Sequence, residues 1–247
     1  MRYCVGEDTL QRRHYAIRVS INVPVDFFAY FCSMRFTLFI LFAAIFWIGC
    51  GSTQPVRVLE EGKTKAVFSL GGPIIQFGSA PIPVPYLTIG AMHGYSHDLT
   101  LTANAHLLSA ALGDIGFDAG AALRLLKQDG AIPEVTAKAQ MYLFDNIARG
   151  PNAPRLFPMI SLNGSYLIGE SSLFYAGIDN LFQLSKPAYI LSPFIGTEFY
   201  ISRRISGQIE TKWMAANINT SHGILEGYAA IGGLGSIGFF LGLTYSF

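Results

Sequence analysis

The stretch GFFLGLTYSF, residues 238–247, alternates without a break. Phe239, Leu241, Leu243, Tyr245 and Phe247 fall on one face of a strand, and Gly238, Phe240, Gly242, Thr244 and Ser246 on the other. Chain ends are usually polar and loosely ordered; this one is an apolar strand to its last residue. A strand surrounded by hydrocarbon can leave no backbone group unpaired, so a last strand of this kind is expected to pair along its whole length with the first. The competing reading is a soluble domain that finishes in a core strand.

The same period of two recurs along the chain. In LTLTANAHL (99–107), Leu99, Leu101, Ala103, Ala105 and Leu107 oppose Thr100, Thr102, Asn104 and His106. In ISGQIETKW (205–213), Ile205, Gly207, Ile209, Thr211 and Trp213 oppose Ser206, Gln208, Glu210 and Lys212. Ile160, Leu162, Tyr166 and Ile168 oppose Ser161, Asn163 and Ser165; Ala137, Ala139, Met141 and Leu143 oppose Lys138 and Gln140; and Ile195, Phe199 and Ile201 oppose Gly196, Glu198, Tyr200 and Ser202. About ten strands are predicted, at 64–77, 84–95, 99–110, 115–127, 134–145, 156–168, 171–182, 188–202, 204–216 and 228–247. Tight links (96–98, 112–114, 169–170, 202–203) intersperse with longer ones (127–133, 146–155, 217–227), the pattern of short turns on one rim and long loops on the other.

Alternation alone suits a soluble sheet with one wet face as well as a membrane barrel; composition separates them. Of 247 residues, 51% are apolar and only 13% charged, about half the usual share. Yet beyond residue 50 no apolar run is long enough for a spanning helix. The polar faces hold Gly, Ser, Thr and Asn with sparse charges, which suits a narrow lumen where Arg124, Lys138, Glu198, Glu210 and Lys212 pair with one another. The apolar faces suit lipid. A formal net charge of +1 provides no field for a nucleic acid. Cys4, Cys32 and Cys50 all precede residue 51, which excludes a disulfide framework beyond it.

The last ten residues resemble the C-terminal strand of bacterial outer-membrane β-barrel proteins, which ends in an aromatic residue preceded by alternating apolar ones. The resemblance implies that Phe239, Leu241, Leu243, Tyr245 and Phe247 are read by the barrel assembly machinery. At the other end, MRFTLFILFAAIFWIGC (34–50) has a basic start, an apolar run of signal-peptide length and a terminal Cys followed by the polar GSTQP. It resembles a bacterial lipoprotein signal peptide. That implies lipidation of Cys50 and, with Gly51 next, sorting to the outer membrane; an ordinary signal peptide with Cys50 incidental is the alternative. Residues 1–33 then read as a gene-model extension or a long n-region, and 51–62 as a linker to a barrel at 63–247.

Chemistry is sparse. MHGYSHD (92–98) brings His93, Ser96, His97 and Asp98 close in sequence, but a catalytic triad needs convergent geometry, and Ser and Asp are good turn formers. His106 reads as a hydrogen-bonded lumen residue. GGLGSIG (232–238) lacks the Lys-Ser/Thr ending of a phosphate loop, so its glycines are assigned to curvature or close packing. Tyr86, Tyr95, Tyr166, Tyr200, Trp213 and Tyr245 are candidates for interfacial girdles.

The expectation is a small antiparallel transmembrane β-barrel of the bacterial outer membrane, all-β, with about 10 strands (8–12) and a lumen largely filled by side chains. It is expected to be structural or binding in type, with function in its longer loops, and not an enzyme. No catalytic or metal site and no cofactor is expected; outer-membrane lipids and the assembly machinery are its partners. A narrow pore for small solutes is the first alternative, and a lipid-modifying barrel enzyme at Ser96 and His97 the second.

Overall fold

The computed structural model describes residues 56–77, 80–83, 86–111, 113–146, 155–169, 171–183, 188–219, 226–227 and 231–247. All of them belong to one compact unit, Ala44–Phe247. The 34–50 leader and the Cys50 lipidation site lie outside the described residues.

The strands are β1 (Thr64–Phe77), β2 (Ala80–Pro83), β3 (Tyr86–Ser96), β4 (Leu99–His106), β5 (Asp114–Leu126), β6 (Glu134–Asn146), β7 (Arg155–Ile168), β8 (Ser172–Phe182), β9 (Tyr189–Tyr200), β10 (Ile205–Asn219), β11 (Glu226–Gly227) and β12 (Leu234–Ser246). Two of them, β2 and β11, are short pieces paired with the upper end of β1. The other ten form one antiparallel barrel. Consecutive strands pair from β3 to β10, and β10 pairs β12. Closure comes from β1, which pairs β3 from Thr64↔His93 to Gly71↔Tyr86 and β12 from Lys65↔Ser246 to Pro73↔Gly238. The terminal strand therefore has a partner on both sides, as its alternation requires.

The ten predicted strands coincide with the ten barrel strands, with three adjustments. The strand predicted at 99–110 stops at His106 and gives way to a short helix, α1 (Leu107–Ala111). The one predicted at 228–247 begins at Leu234. The link LGD (112–114) lies beyond α1 on the long-connection rim, whereas the longer KQDGAIP (127–133) lies on the rim of short turns, tightened by mutual backbone bonds between Asp129 and Ile132. Both described chain ends of the barrel, Thr64 and Ser246, lie on that short-turn rim.

Burial decides between the membrane and soluble readings. On β7, Leu156, Ile160 and Leu162 are 51%, 55% and 47% exposed, while Ser161, Asn163 and Ser165 are buried. The pattern repeats on β4, where Thr100, Thr102 and His106 are buried and Leu101 is exposed, and on β12, where Phe239, Leu241, Leu243 and Tyr245 all face outward. Polar-in and apolar-out is the reverse of a soluble domain and the arrangement of a barrel in lipid. With every barrel strand paired on both sides, no sheet edge is left in the hydrocarbon.

Two glycines fit this wall for physical reasons. A Cβ on Gly71 would stand 2.5 Å from the Phe240 Cα and 2.7 Å from its ring, so β1 passes the inward-pointing Phe240 only as glycine. Gly235, at φ +62°, faces a bulge in β10 where Ala215 is also at positive φ (55°). With Gly232 and Gly233, it makes the 232–238 stretch a turn into β12, as curvature and close packing predict.

Candidate functional site

The candidate site is the lumen, and it has three storeys. The lower mouth, at the short-turn rim, is occupied by residues before β1. Val56 packs against Leu173 and Tyr175, and Leu59 against Val67 and Met92. The Leu59 N–H donates to Thr100 Oγ1 at 2.7 Å, and Arg57 donates to Ser165 Oγ at 3.0 Å and to the Gln128 side chain. A Cβ on Gly94 would meet the Glu60 carbonyl at 2.1 Å, so the wall is bared to backbone where this segment passes. Of the stretch read as a linker, residues 56–59 are thus seated in the mouth of the barrel. Beside it, Arg124 bridges Asp98 (3.2 Å) and Glu134 (3.6 Å), and Arg57 adds a longer contact to Glu134 (3.9 Å). A cavity of about 390 Å³ opens here, bounded by Arg203, Arg204, Tyr200 and Glu198.

The waist is polar, charged and filled. Lys212 Nζ donates to Asp179 Oδ2 at 2.6 Å and lies 3.3 Å from Glu210. Glu210 accepts from the Tyr175 hydroxyl (3.1 Å), which accepts from Gln208 (2.6 Å). Phe194 and Phe240 flank the Lys212 ammonium at 5.1 and 5.4 Å from their ring centres. Lys138, also buried, lines the residual space of about 10 Å³ with Val56, Tyr175 and these charges. That volume is about one water probe. A buried ion is tolerated only when paired, and this cluster supplies the partners.

The upper storey divides. On the β4–β5 wall, fully buried His106 meets Asp118 (2.8 Å), which also accepts from Asn104 (2.7 Å) and Gln140. Beside and above that pair the inward positions turn apolar, and the His106 ring meets Tyr86, Phe144 and Tyr142 edge-on at 4.8, 5.0 and 5.9 Å. β6 carries Glu134, Thr136, Lys138 and Gln140 inward in its lower part, then Tyr142 and Phe144. β7 carries Ser165, Asn163 and Ser161, then Met159 and Phe157. Leu181, Ile190, Met214, Tyr86 and Phe240 complete a cavity of about 430 Å³ whose floor is Asp179, Ser192 and Lys212.

The predicted lumen residues Lys138, Glu210, Lys212 and His106 are buried inside; Arg124 sits at the lower mouth, and Glu198 there accepts from Ser206 at 2.7 Å. His106 pairs Asp118, Lys212 pairs Asp179 and Glu210, and Lys138 lies within electrostatic reach of Asp118, Asp179 and Glu210. Those partner carboxylates, Asp118 and Asp179, lie on alternating faces as legible as the rest, with Gly116 and Gly120 and with Tyr175 and Gly177. Tyr95, Trp213 and Tyr245 fit outward girdle positions. Tyr86 and Tyr200 do not, for they line the upper and lower cavities. The MHGYSHD residues disperse: His93 bonds Thr64 (2.9 Å), exposed His97 pairs Glu61 (2.7 Å), and Asp98 pairs Arg124.

No protein-family model matches the sequence, and neither does any curated protein. Among solved structures, the chain is similar to an outer membrane channel from Pseudomonas putida F1 (10% identity, 80% of this chain and 100% of that one, TM-score 0.44). It is also similar to the KdgM porin (6%, 74% and 99%, 0.40) and to the translocator domain of the autotransporter NalP from Neisseria meningitidis (10%, 90% and 98%, 0.40). At these identities no activity carries across.

Proposed function

We infer that this closed ten-stranded barrel, with its apolar skin and polar interior, is a bacterial outer-membrane protein. Beyond that, we propose that it is a binding-type barrel, closed to through-flow at its waist, whose ligand-facing surface is the cavity at the long-connection rim. The observation that carries this reading is the Lys212–Asp179–Glu210 cluster, which with Tyr175 and Phe194 lines a space of about 10 Å³ between the two larger cavities. In barrels of this kind the short turns face the periplasm and the long loops the exterior, which puts the upper cavity outside. The test is conductance of the purified chain in a planar bilayer. A closed waist predicts no steady open level, and a stable, ohmic channel would overturn it.

A narrow pore is the second reading. It is favoured by the two cavities, about 390 and 430 Å³, which approach the waist from opposite sides and are parted by side chains rather than backbone. The same recording decides between the two.

The proposal extends to how the chain reaches its place. Cys50 carries lipid, supported by the residue pattern of 34–50; labelled palmitate incorporation should vanish in Cys50→Ala. The outward row ending at Phe247 is the assembly signal, and loss of Phe247 should deplete the outer-membrane fraction. The barrel is read as non-enzymatic, because His93, His97 and Asp98 each hold a separate partner. Unchanged lipid A on overexpression of the chain agrees with that reading, and a modification lost in Ser96→Ala contradicts it.

A further inference from the structure

We propose that the outer cavity is a binding site for small, neutral aromatic molecules of one to three rings. The inference rests on the binding-barrel reading above and names its ligand class. The first ground is the change in lining. Inward positions that carry Ser, Thr, Asn, Gln and charges lower down carry Tyr142, Phe144, Phe157 and Met159 at the outer end of the same strands. Facing water, such a wall leaves apolar surface hydrated; an apolar ligand removes that surface from water. Nothing in the lipid contact of the barrel requires it, because these side chains point inward.

Charge is the second ground. The ions at the floor are satisfied within the protein: Lys212 by Asp179 and Glu210. The nearby carboxylate of Asp118 is held by His106, Asn104 and Gln140. An ionised ligand seated on this floor would enter an apolar chamber and find the counter-charges there already taken, so the floor of the site selects against charge.

Ring geometry and size supply the third. Phe144 and Phe157 are tilted by 60° with centres 6.3 Å apart, and the Tyr142 and Phe144 rings lie 3° from parallel. Together they present edges and faces to one space, the disposition that aromatic partners prefer. Met159 and Met214 add adaptable sulfur contacts. An apolar cavity of about 150 Å³ already holds benzene; this one is about 430 Å³.

The test uses the full chain in lipid nanodiscs with two probes of similar size, neutral N-phenyl-1-naphthylamine and anionic 1-anilinonaphthalene-8-sulfonate, with empty discs subtracted. The expected result is saturable binding of the neutral probe at one per chain. It should be competed by naphthalene and not by benzoate, and weakened at least about fivefold in Phe144→Ala and in Phe157→Ala, in line with ring-contact energies. Both variants must keep the gel mobility of the folded barrel. Uptake no greater than in empty discs, equal binding of the sulfonate, or unchanged affinity in both variants overturns the inference. A conducting channel overturns the binding-barrel reading instead, whereas a closed barrel that ignores the neutral probe defeats only the ligand assignment.

Discussion

The Lys212 ammonium holds two carboxylates at once, 2.6 Å from Asp179 and 3.3 Å from Glu210. Removing the shared cation leaves two buried anions facing each other, which costs roughly 3–5 kcal/mol, whereas replacing a whole ionic group with neutral residues is often nearly neutral. Lys212→Met should therefore lower the urea midpoint of the barrel in vesicles strongly. The quadruple variant Lys138→Met, Lys212→Met, Asp179→Asn, Glu210→Gln, which removes the whole group, should recover most of the loss. A quadruple variant as weak as the single one contradicts the pairing.

Ile195, near the middle of β9, is 62% exposed and points into lipid. Ile195→Arg should cost about 2–4 kcal/mol, the penalty for a cation on the lipid face near the midplane. On a soluble sheet the same exposed substitution would stay within about 0.5 kcal/mol. Unfolding of the two proteins in vesicles separates these outcomes.

Gly196 and Gly164 make a matched pair. A Cβ at Gly196 would meet the Tyr175 hydroxyl at 2.3 Å and the Ile209 carbonyl at 2.6 Å, while one at Gly164 meets nothing within 4 Å. Gly196→Ala must displace Tyr175 from Glu210 and Gln208, a loss of about 1–3 kcal/mol typical of overpacking. Gly164→Ala should be neutral or slightly stabilising. Equal effects at both positions would show that Tyr175 is not wedged against β9.

The segment at the lower mouth is testable by proteolysis. Val56 is buried against Leu173 and Tyr175, and Arg57 is tied to Ser165 and Gln128, whereas Arg203 and Arg204 lie in an exposed turn. Trypsin should cut the turn freely and Arg57 slowly. Burial of a valine is worth about 1.5–3 kcal/mol, so Val56→Asp should speed cleavage at Arg57 by about tenfold or more and leave the turn unaffected. Equal rates at both sites in the parent protein would mean that the segment is not seated.

What was legible follows from where period two is informative. Thr100, Ser161 and Gln208 alternate with leucines and isoleucines, so wall and lumen separate on inspection, and the strand bounds follow from the turns between them. Met141, Tyr142, Leu143 and Phe144 are apolar on both faces. The alternation that sets Met141 and Leu143 toward lipid turns Tyr142 and Phe144 inward, but an apolar residue on each face gives no sign of a chamber, and the outer cavity was hidden. Val56–Leu59 was hidden for another reason: its seat depends on surfaces supplied by Gly94, Leu173 and Tyr175, each remote in sequence. The ionic partners were half visible, because a face can be assigned from alternation but a partner across the lumen needs the barrel's circumference. Asp179 meets Lys212 only once β8, β9 and β10 curve around it.

The vestibules, the waist and the seated segment all depend on closure between β1 and β12, and a disulfide across that seam tests it most directly. Ser69 and Gly242 are cross-strand partners in the seam. In a chain with Cys4 and Cys32 replaced by serine and Cys50 retained, Ser69→Cys with Gly242→Cys should oxidise within the outer-membrane fraction to an intramolecular disulfide, seen as a faster band after boiling without reductant, lost with it, and absent from either single-cysteine variant. Two free thiols in folded, membrane-embedded protein would mean that the first and last strands are not neighbours, and would contradict the barrel.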